Sequence, residues 1–277
     1  MQGDRWILAG LVAGALLVGC TSTPASTLTD PTEIVVAAVQ ALRTTKTLHL
    51  EARLSGELPA GPGSGSAMIR LDGTTLSGDL DLAGRSASLT GAAPAFMDAR
   101  GSLVVVGGVR YVKLNLLGDR WYRLPVEEEP GASSPTPGSS DLLSRLREDL
   151  RRLSRPPERL GDEGCGDVTC SHVRLWLTTA DMAALHQGSP PPAAVGGTTT
   201  IDLWVRQTDL RPAKVTLAAG DGETGQGKVT ATVVFSDFDR PLTIAPPPGD
   251  QVTDGLPALP SPPPFLPLPG LVPTPLP

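Results

Sequence analysis

The sequence predicts an α+β domain built on one antiparallel β-sheet, and three observations carry that expectation. Apolar residues recur at every second position through much of the chain, most clearly where Leu76, Gly78, Leu80 and Leu82 alternate with Ser77, Asp79 and Asp81. That is the period of a strand with one dry and one wet face, and sheets of that kind are antiparallel by preference. Helical spacing occurs in only three stretches, which do not alternate with strands as a parallel sheet would require. With the leading residues and both ends set aside, about 215 residues remain to fold, which suits one β-rich domain better than two.

Taken in order, Asp30-Pro31-Thr32-Glu33 reads as a helix start. Asp30 is the N-cap, Pro31 stands at the first helical position where its missing N–H costs nothing, and Glu33 stands at the third. Residues 34–42 continue as an alanine-rich helix, apolar on nearly every face and so expected to be well covered. From Thr47 the period changes to two, with Leu48, Leu50, Ala52 and Leu54 against His49, Glu51 and Arg53. Residues 59–65 form a loop, after which Ala67, Ile69 and Leu71 resume the alternation up to a turn at Asp72-Gly73. Strands are expected at 86–90, 103–106, 109–114 and 121–124, with Gly107-Gly108 as a hairpin turn.

Residues 127–140, acidic and then rich in Pro, Ser and Gly, read as a flexible loop. Leu142, Leu143, Leu146, Leu150 and Leu153 then follow at helical spacing until Pro156-Pro157 stops them, which gives one amphipathic helix. A strand at 173–177, a short helix capped by Thr179 and including Met182 and Leu185, and strands at 199–205, 213–218 and 228–235 complete the domain. The total is about ten strands and three helices over residues 30–246. In the tail, 247–277, proline alternates with Leu, Phe and Val, a density that permits neither a helix nor an inner strand and leaves the tail extended or disordered.

Arg5 precedes about thirteen apolar or small residues, 6–18, the length of a signal-peptide core and short of the roughly twenty that span a bilayer. The run closes on Leu17-Val18-Gly19-Cys20, which resembles the bacterial lipobox, in which the cut falls between Gly19 and Cys20 and the cysteine thiol takes up lipid. Residues 1–19 are therefore expected to be a lipoprotein signal peptide and 20–29 a tether. The mature protein is expected to be extracytoplasmic and held at the cell membrane by palmitate-type chains on Cys20. The two cysteines that remain, Cys165 and Cys170, are expected to form a disulfide in such a compartment.

The formal net charge is −6 and no basic cluster stands out, so no nucleic-acid partner is expected. Residues 220–225 fit G-x-G-x-x-G and 222–228 fit most of a P-loop, but Val229 stands where a magnesium-binding Ser or Thr belongs and a strand follows instead of a helix. His49, His172 and His186 lack ligand spacing. Cys165 and Cys170 with Asp162, Glu163 or Asp167 lack the second pair of soft ligands that a metal site needs. Asp79 and Asp81 share the polar side of a clean alternation, where solvated carboxylates are ordinary. With no G-x-S-x-G, no H-E-x-x-H and no free cysteine nucleophile, no enzyme activity, cofactor or metal is expected.

Several stretches together resemble the LppX/LprA/LprF/LprG lipoproteins of the actinobacterial cell envelope, which share the fold of the LolA and LolB lipoprotein carriers. The pieces are residues 41–54 (a helix end, Thr-Lys-Thr-Leu-His and the first strand), 108–114 (Gly-Val-Arg-Tyr-Val-Lys-Leu), Trp121-Tyr122, 201–217, and 233–246, which ends Phe-Ser-Asp-Phe-Asp-Arg-Pro-Leu-Thr-Ile-Ala-Pro. The resemblance implies a strongly curved, half-open sheet with helices covering its concave face and an apolar cavity for acyl chains. It implies a protein that binds a lipid or glycolipid and carries or displays it in the envelope. The cavity residues expected on this basis are Leu50, Ala52, Ile69, Leu71, Leu80, Leu82, Ile201, Leu203, Val215 and Leu217, with Leu146 and Leu150 from the covering helix. The alternative is a structural or protein-interaction lipoprotein with a filled core.

Overall fold

The computed structural model describes residues 28–59, 68–125, 139–185, 197–220 and 227–257. The expected signal peptide, Cys20, most of the expected tether, residues 126–138, His186, most of the glycine motif and residues 258–277 lie outside the described residues.

Helix α1 (Pro31–Thr44) starts as its sequence dictates: the Asp30 carboxylate accepts from the backbone N–H of Thr32 at 2.8 Å and of Glu33 at 3.4 Å. Strands β1 (Thr47–Pro59), β2 (Met68–Arg70), β3 (Thr74–Asp81), β4 (Ser86–Ala93), β5 (Ala99–Val106), β6 (Val109–Leu114) and β7 (Trp121–Pro125) follow. Then come α2 (Ser139–Arg152), β8 (Glu158–Cys165), β9 (Val168–Leu177), α3 (Thr179–Leu185), β10 (Thr199–Arg206), β11 (Pro212–Ala219), β12 (Lys228–Ser236) and β13 (Val252–Asp254). Gly107 and Gly108, at φ 60° and 73°, make the tight turn between β5 and β6 that needs positive φ at both positions.

The described strands form one open, curved sheet in the order β13-β7-β6-β5-β4-β3-β1-β12-β11-β10-β9-β8, with β2 paired to β1 beside this path. The pairs are antiparallel except for β13, which runs parallel to β7. Two meanders, β3 to β7 and β8 to β12, are joined by β1, which pairs with β3 on one side and with β12 on the other, from His49↔Ser236 to Glu57↔Lys228. The approach at this seam is close. Gly56 has φ 111°, and a Cβ there would lie 2.0 Å from the Lys228 carbonyl oxygen.

The thirteen strands exceed the ten expected, chiefly through β8 and β13. Strand β8 reads Glu-Arg-Leu-Gly-Asp-Glu-Gly-Cys and carries almost no apolar alternation. It is held by pairing with β9 and by the Cys165–Cys170 disulfide, whose Cα atoms are 5.9 Å apart across the hairpin. Strand β13 lies beyond the domain boundary expected at Pro246, so residues 252–254 belong to the sheet and the segment that leads to them is not a free tail. The Arg123 Nε donates to Asp254 at 2.6 Å and the Arg120 Nε to Thr253 at 2.8 Å, side-chain ties that a scan for periodicity does not see.

Between β12 and β13 the chain straps across the wet face. Thr47, on that face of β1, donates its hydroxyl to the Arg240 carbonyl at 2.7 Å, and Leu242 lies beside Asp79 of β3.

The helices cover only part of the dry face. Helices α1 and α2 pack on each other and on β9 and β10, around Ile34, Val35, Ala38, Leu150, Leu153, Val173, Leu175, Leu203 and Val205, and leave β3 to β6 bare. The reason is width: two helices, each about 10 Å across, span about 20 Å of a sheet that is roughly 50 Å wide at about 4.8 Å per strand. Helix α3 also starts one residue earlier than its sequence suggested, since the Thr178 hydroxyl, and not that of Thr179, accepts from the Asp181 N–H at 3.2 Å.

Candidate functional site

Strand register fixes which side chains share the dry face. In one row, Leu203 stands opposite Val215, Val215 opposite Val233, Val233 opposite Ala52, Ala52 opposite Leu76 and Leu76 opposite Gly91. In a second row Phe235 faces Leu50, Leu50 faces Gly78, Gly78 faces Leu89, Leu89 faces Leu103 and Leu103 faces Val112. One apolar surface therefore runs from β9 to β7.

Described residues line two hollows on it. The first, about 310 Å³, is half-open and lies between the helices and β9 to β12. Its roof comes from Val35, Ala38, Val39 and Leu42 of α1 and from Leu146, Asp149, Leu150 and Leu153 of α2; its floor includes Leu175, Leu177, Ile201, Leu203, Pro212, Val215 and Phe235. Each helix thus presents the same stripe, i, i+3, i+4 and i+7, to the space beneath it. Asp149 is the one charged residue in the lining. The second hollow, about 480 Å³, is an open groove over β3 to β6, lined by Leu76, Leu89, Leu103, Val112 and Leu114 over Gly91 and Gly101.

The roof is tied down at two points. Arg147 of α2 makes a two-pronged ion pair with Glu33 of α1, and the hydrogen bond from Arg147 holds the Glu33 carboxyl below the usual range. Beyond the C-terminus of α2, buried Asp181 accepts from the N–H and hydroxyl of Ser154 and from the N–H and hydroxyl of Thr178. Burial alone would raise the Asp181 pKa, but these bonds outweigh it and bring it down to about 2.

Of the twelve expected cavity residues, Leu146, Leu150, Ile201, Leu203 and Val215 line the hollow beneath the helices. Leu50, Ala52, Leu80 and Leu217 share the dry face by register but line neither hollow. The other three depart from the expectation. Ile69 lines a separate recess with Met68, Arg70, Asp72 and Ala95. Leu71 is buried in the turn after β2, its N–H bonded to the Gly56 carbonyl. Leu82 lies past the last pair of β3 and is 43% exposed. The α1 stripe was missed because that helix is apolar nearly all round, although the spacing of Val35, Ala38, Val39 and Leu42 was open to reading.

The wet face carries two polar networks. His172 is buried, with Nδ1 2.7 Å from Glu163 and Nε2 2.8 Å from Asp202, so its ring bridges the two carboxylates. The Trp204 indole N–H donates to Glu163 at 2.8 Å and Arg174 to Asp202 at 2.7 Å, which ties β8, β9 and β10 together. On β1 and β3, Asp79 lies 2.7 Å from His49 Nδ1 and Ser77 Oγ lies 3.3 Å from His49 Nε2. That is the order of a charge relay, yet β3 has a ladder on each side that occupies its amides, leaving no backbone donors for an oxyanion. The pocket beside Asp79 is only about 50 Å³.

No protein-family model matches the chain, and no curated protein is similar to it. Among solved structures it is similar to the lipoprotein LppX of Mycobacterium tuberculosis, at 14% identity and TM-score 0.48 over 78% of this chain and 98% of that one. It is similar to LprF of Mycobacterium bovis at 15% identity and TM-score 0.45, over 79% and 97%. Both belong to the lipoprotein family that the sequence resembles. A third likeness is to MucB in complex with MucA(peri), at 11% identity and TM-score 0.32, over 80% of this chain and 58% of that one.

Proposed function

We propose that this chain is an extracytoplasmic lipoprotein, anchored through Cys20, that holds the acyl chain of a lipid or glycolipid under α1 and α2 and carries or displays it without chemistry. The observation that supports this reading is the half-open hollow of about 310 Å³ beneath the helices, with a nearly all-apolar lining. A filled core would leave no such space. Each buried methylene contributes about 0.8 kcal/mol, so ten suffice for tight retention with no polar recognition. The volume stands at the bottom of the roughly 300–1,000 Å³ range of ligand cavities, which fits one chain better than two or three. Further chains of a larger lipid would extend along the dry face toward the open groove. Leu28 packs against the helix core, so the eight residues back to Cys20 would keep the covered half within about 26 Å of a bilayer.

The test uses delipidated protein and a fluorescent single-chain fatty acid. Wild type should bind it, and Ala38→Phe, which fills the roof from α1, should weaken binding about tenfold or more while costing no more than about 1–3 kcal/mol of stability. Failure of folded wild type to take up the probe would leave the structural reading in its place.

A further inference from the structure

One rim of the sheet carries large apolar residues on its turns. Strands β3 and β5 begin there and β4 and β6 end there, as the pairs Thr75↔Ala92, Ala93↔Ala99 and Gly101↔Leu114 require. The turn from β4 to β5 presents Phe96 at 47% and Met97 at 79% exposure, and the 3₁₀ turn after β6 (Asn115–Leu117) presents Leu116 at 48%. Met68 of β2, 40% exposed, lines a recess with Ile69 and with Ala95 of the first turn. These turns are held in place. In the first, the N–H groups of Phe96, Asp98 and Ala99 donate to the carbonyls of Ala93, Pro94 and Phe96. The Asn115 side chain joins it to the second, donating to the Asp98 carbonyl at 3.0 Å and accepting from the Arg100 N–H at 2.7 Å. The Tyr122 hydroxyl donates to the Leu117 carbonyl at 2.8 Å. Met97 itself stands at φ 57°, a backbone conformation that side-chain-bearing residues rarely adopt, so the network keeps a large apolar side chain out in water.

We propose that this rim docks on a lipid bilayer, with Phe96, Met97 and Leu116 entering its interface. Area favours lipid over a protein partner. Taking roughly 200 Å² for a whole large residue, the four residues together expose about 400 Å², half of the roughly 800 Å² that one side of a stable protein pair buries. A bilayer sets no such minimum, because binding grows with whatever apolar area enters it. The backbone fits as well. Hydrocarbon offers a turn no hydrogen bonds, and the amides of Phe96, Asp98 and Ala99 already have theirs within the turn. The charges that flank the tips are paired, Arg100 with Asp98 at 3.1 Å and Arg70 with Glu57 at 3.5 Å, so docking leaves none of them bare. Both arginines have long stems that keep the charged head at headgroup level while apolar neighbours go deeper. The rim is also continuous with the open groove: Ala93, Ala99 and Arg100, at the foot of the first turn, line it together with Leu76, Leu89 and Leu103. A bilayer seated on the tips therefore lies at the mouth of the groove, where an acyl chain passes to the dry face without crossing water. That passage rests on the lipid reading above; the docking does not.

The test is flotation with vesicles of phosphatidylcholine and phosphatidylglycerol in equal parts, using the chain from residue 20 onward with Cys20→Ser so that no acyl group is attached. With its tips intact the protein should float with the vesicles, and the pair Phe96→Ser and Met97→Ser should weaken partition about tenfold or more. Both residues are exposed, so an unchanged urea melt shows that the variant is folded. In the same background Met97→Cys supplies the one free thiol beside the Cys165–Cys170 disulfide. A nitrobenzoxadiazole dye on that thiol should shift to the blue when vesicles are added, whereas the same dye on Leu82→Cys, exposed at the opposite end of β3, should not. Absence of flotation, equal flotation of the two chains, or a Met97→Cys dye that stays wet in floated protein would overturn the proposal. So would a blue shift that grows with protein concentration without vesicles, which would assign the tips to a second copy. Uptake of the fluorescent fatty acid by the serine-substituted chain should equal that of wild type, and measuring it in parallel separates failure here from failure of the lipid reading of the hollow.

Discussion

Arg147 and Glu33 join the two roof helices through parallel hydrogen bonds, Nε to Oε1 at 2.7 Å and Nη2 to Oε2 at 2.8 Å. Each side chain is about one-third exposed, at 33% and 31%, so the pair is partly screened, and two-pronged geometry lifts it to about 1 kcal/mol. Glu33→Ala should therefore cost about that much in a urea melt. Its larger effect should be on release: a bound fatty-acid probe should dissociate several-fold faster, because α2 is freer to lift. The Glu33 pKa is lowered by Arg147, so the contribution is present above the ordinary carboxylate range and is lost as pH falls through the folded value. An unchanged release rate at neutral pH would mean that α2 is not the moving part.

Asp181 fixes the C-terminal end of the same helix. Asp181→Ala leaves the Ser154 and Thr178 amides without their buried acceptor, and a pKa of about 2 against an ordinary value of 3.8 corresponds to about 2 kcal/mol. Because the folded pKa is depressed, this stabilisation is fully present above about pH 4 and lost as pH falls through about 2. Denaturation of wild type and variant across that window should show a gap of about 2 kcal/mol at pH 6 that closes in acid. A gap independent of pH would assign the loss to packing instead of to the carboxylate.

Strand β13 makes a third case. A chain ending at Pro246 loses the Arg123–Asp254 and Arg120–Thr253 ties and leaves β7 as a bare edge, an invitation to pair with another chain. Its Tm should fall by about 2–4 °C for each kcal/mol lost, with concentration-dependent association. A chain ending at Pro257 should keep its Tm within a degree or two, since the ladder is intact. Equal melting of the two would show that β13 contributes nothing to the sheet.

The dry face was legible because its strands obey period two over long runs: the expected alternations of Leu48 to Leu54 and Leu76 to Leu80 fall on β1 and β3, in register with each other. Helix α1 was legible from its cap. What escaped depends on three-dimensional partners. Strand β8 is defined by its neighbour and its disulfide, and β13 by two arginines more than 130 positions earlier in the chain. Ile69, Leu71 and Leu82 alternate as faithfully as the residues of the hollow, but periodicity tells only which face a residue takes. How far the helices reach over that face is a matter of widths, which no local pattern records.

The pairing of β1 with β12 sets the order of assembly. Strands β3 to β7 and β9 to β12 are largely built from short-range hairpins and can zip early, whereas His49 meets Ser236 only after most of the chain exists. Contacts that close so long a loop come late and slow a folding reaction. Until that seam forms, Leu50, Ala52 and Leu54 have a partner on one side only. The first strand to leave the ribosome is then among the last to be completed, and a chain stalled short of Ser236 presents two half-sheets in search of a common edge.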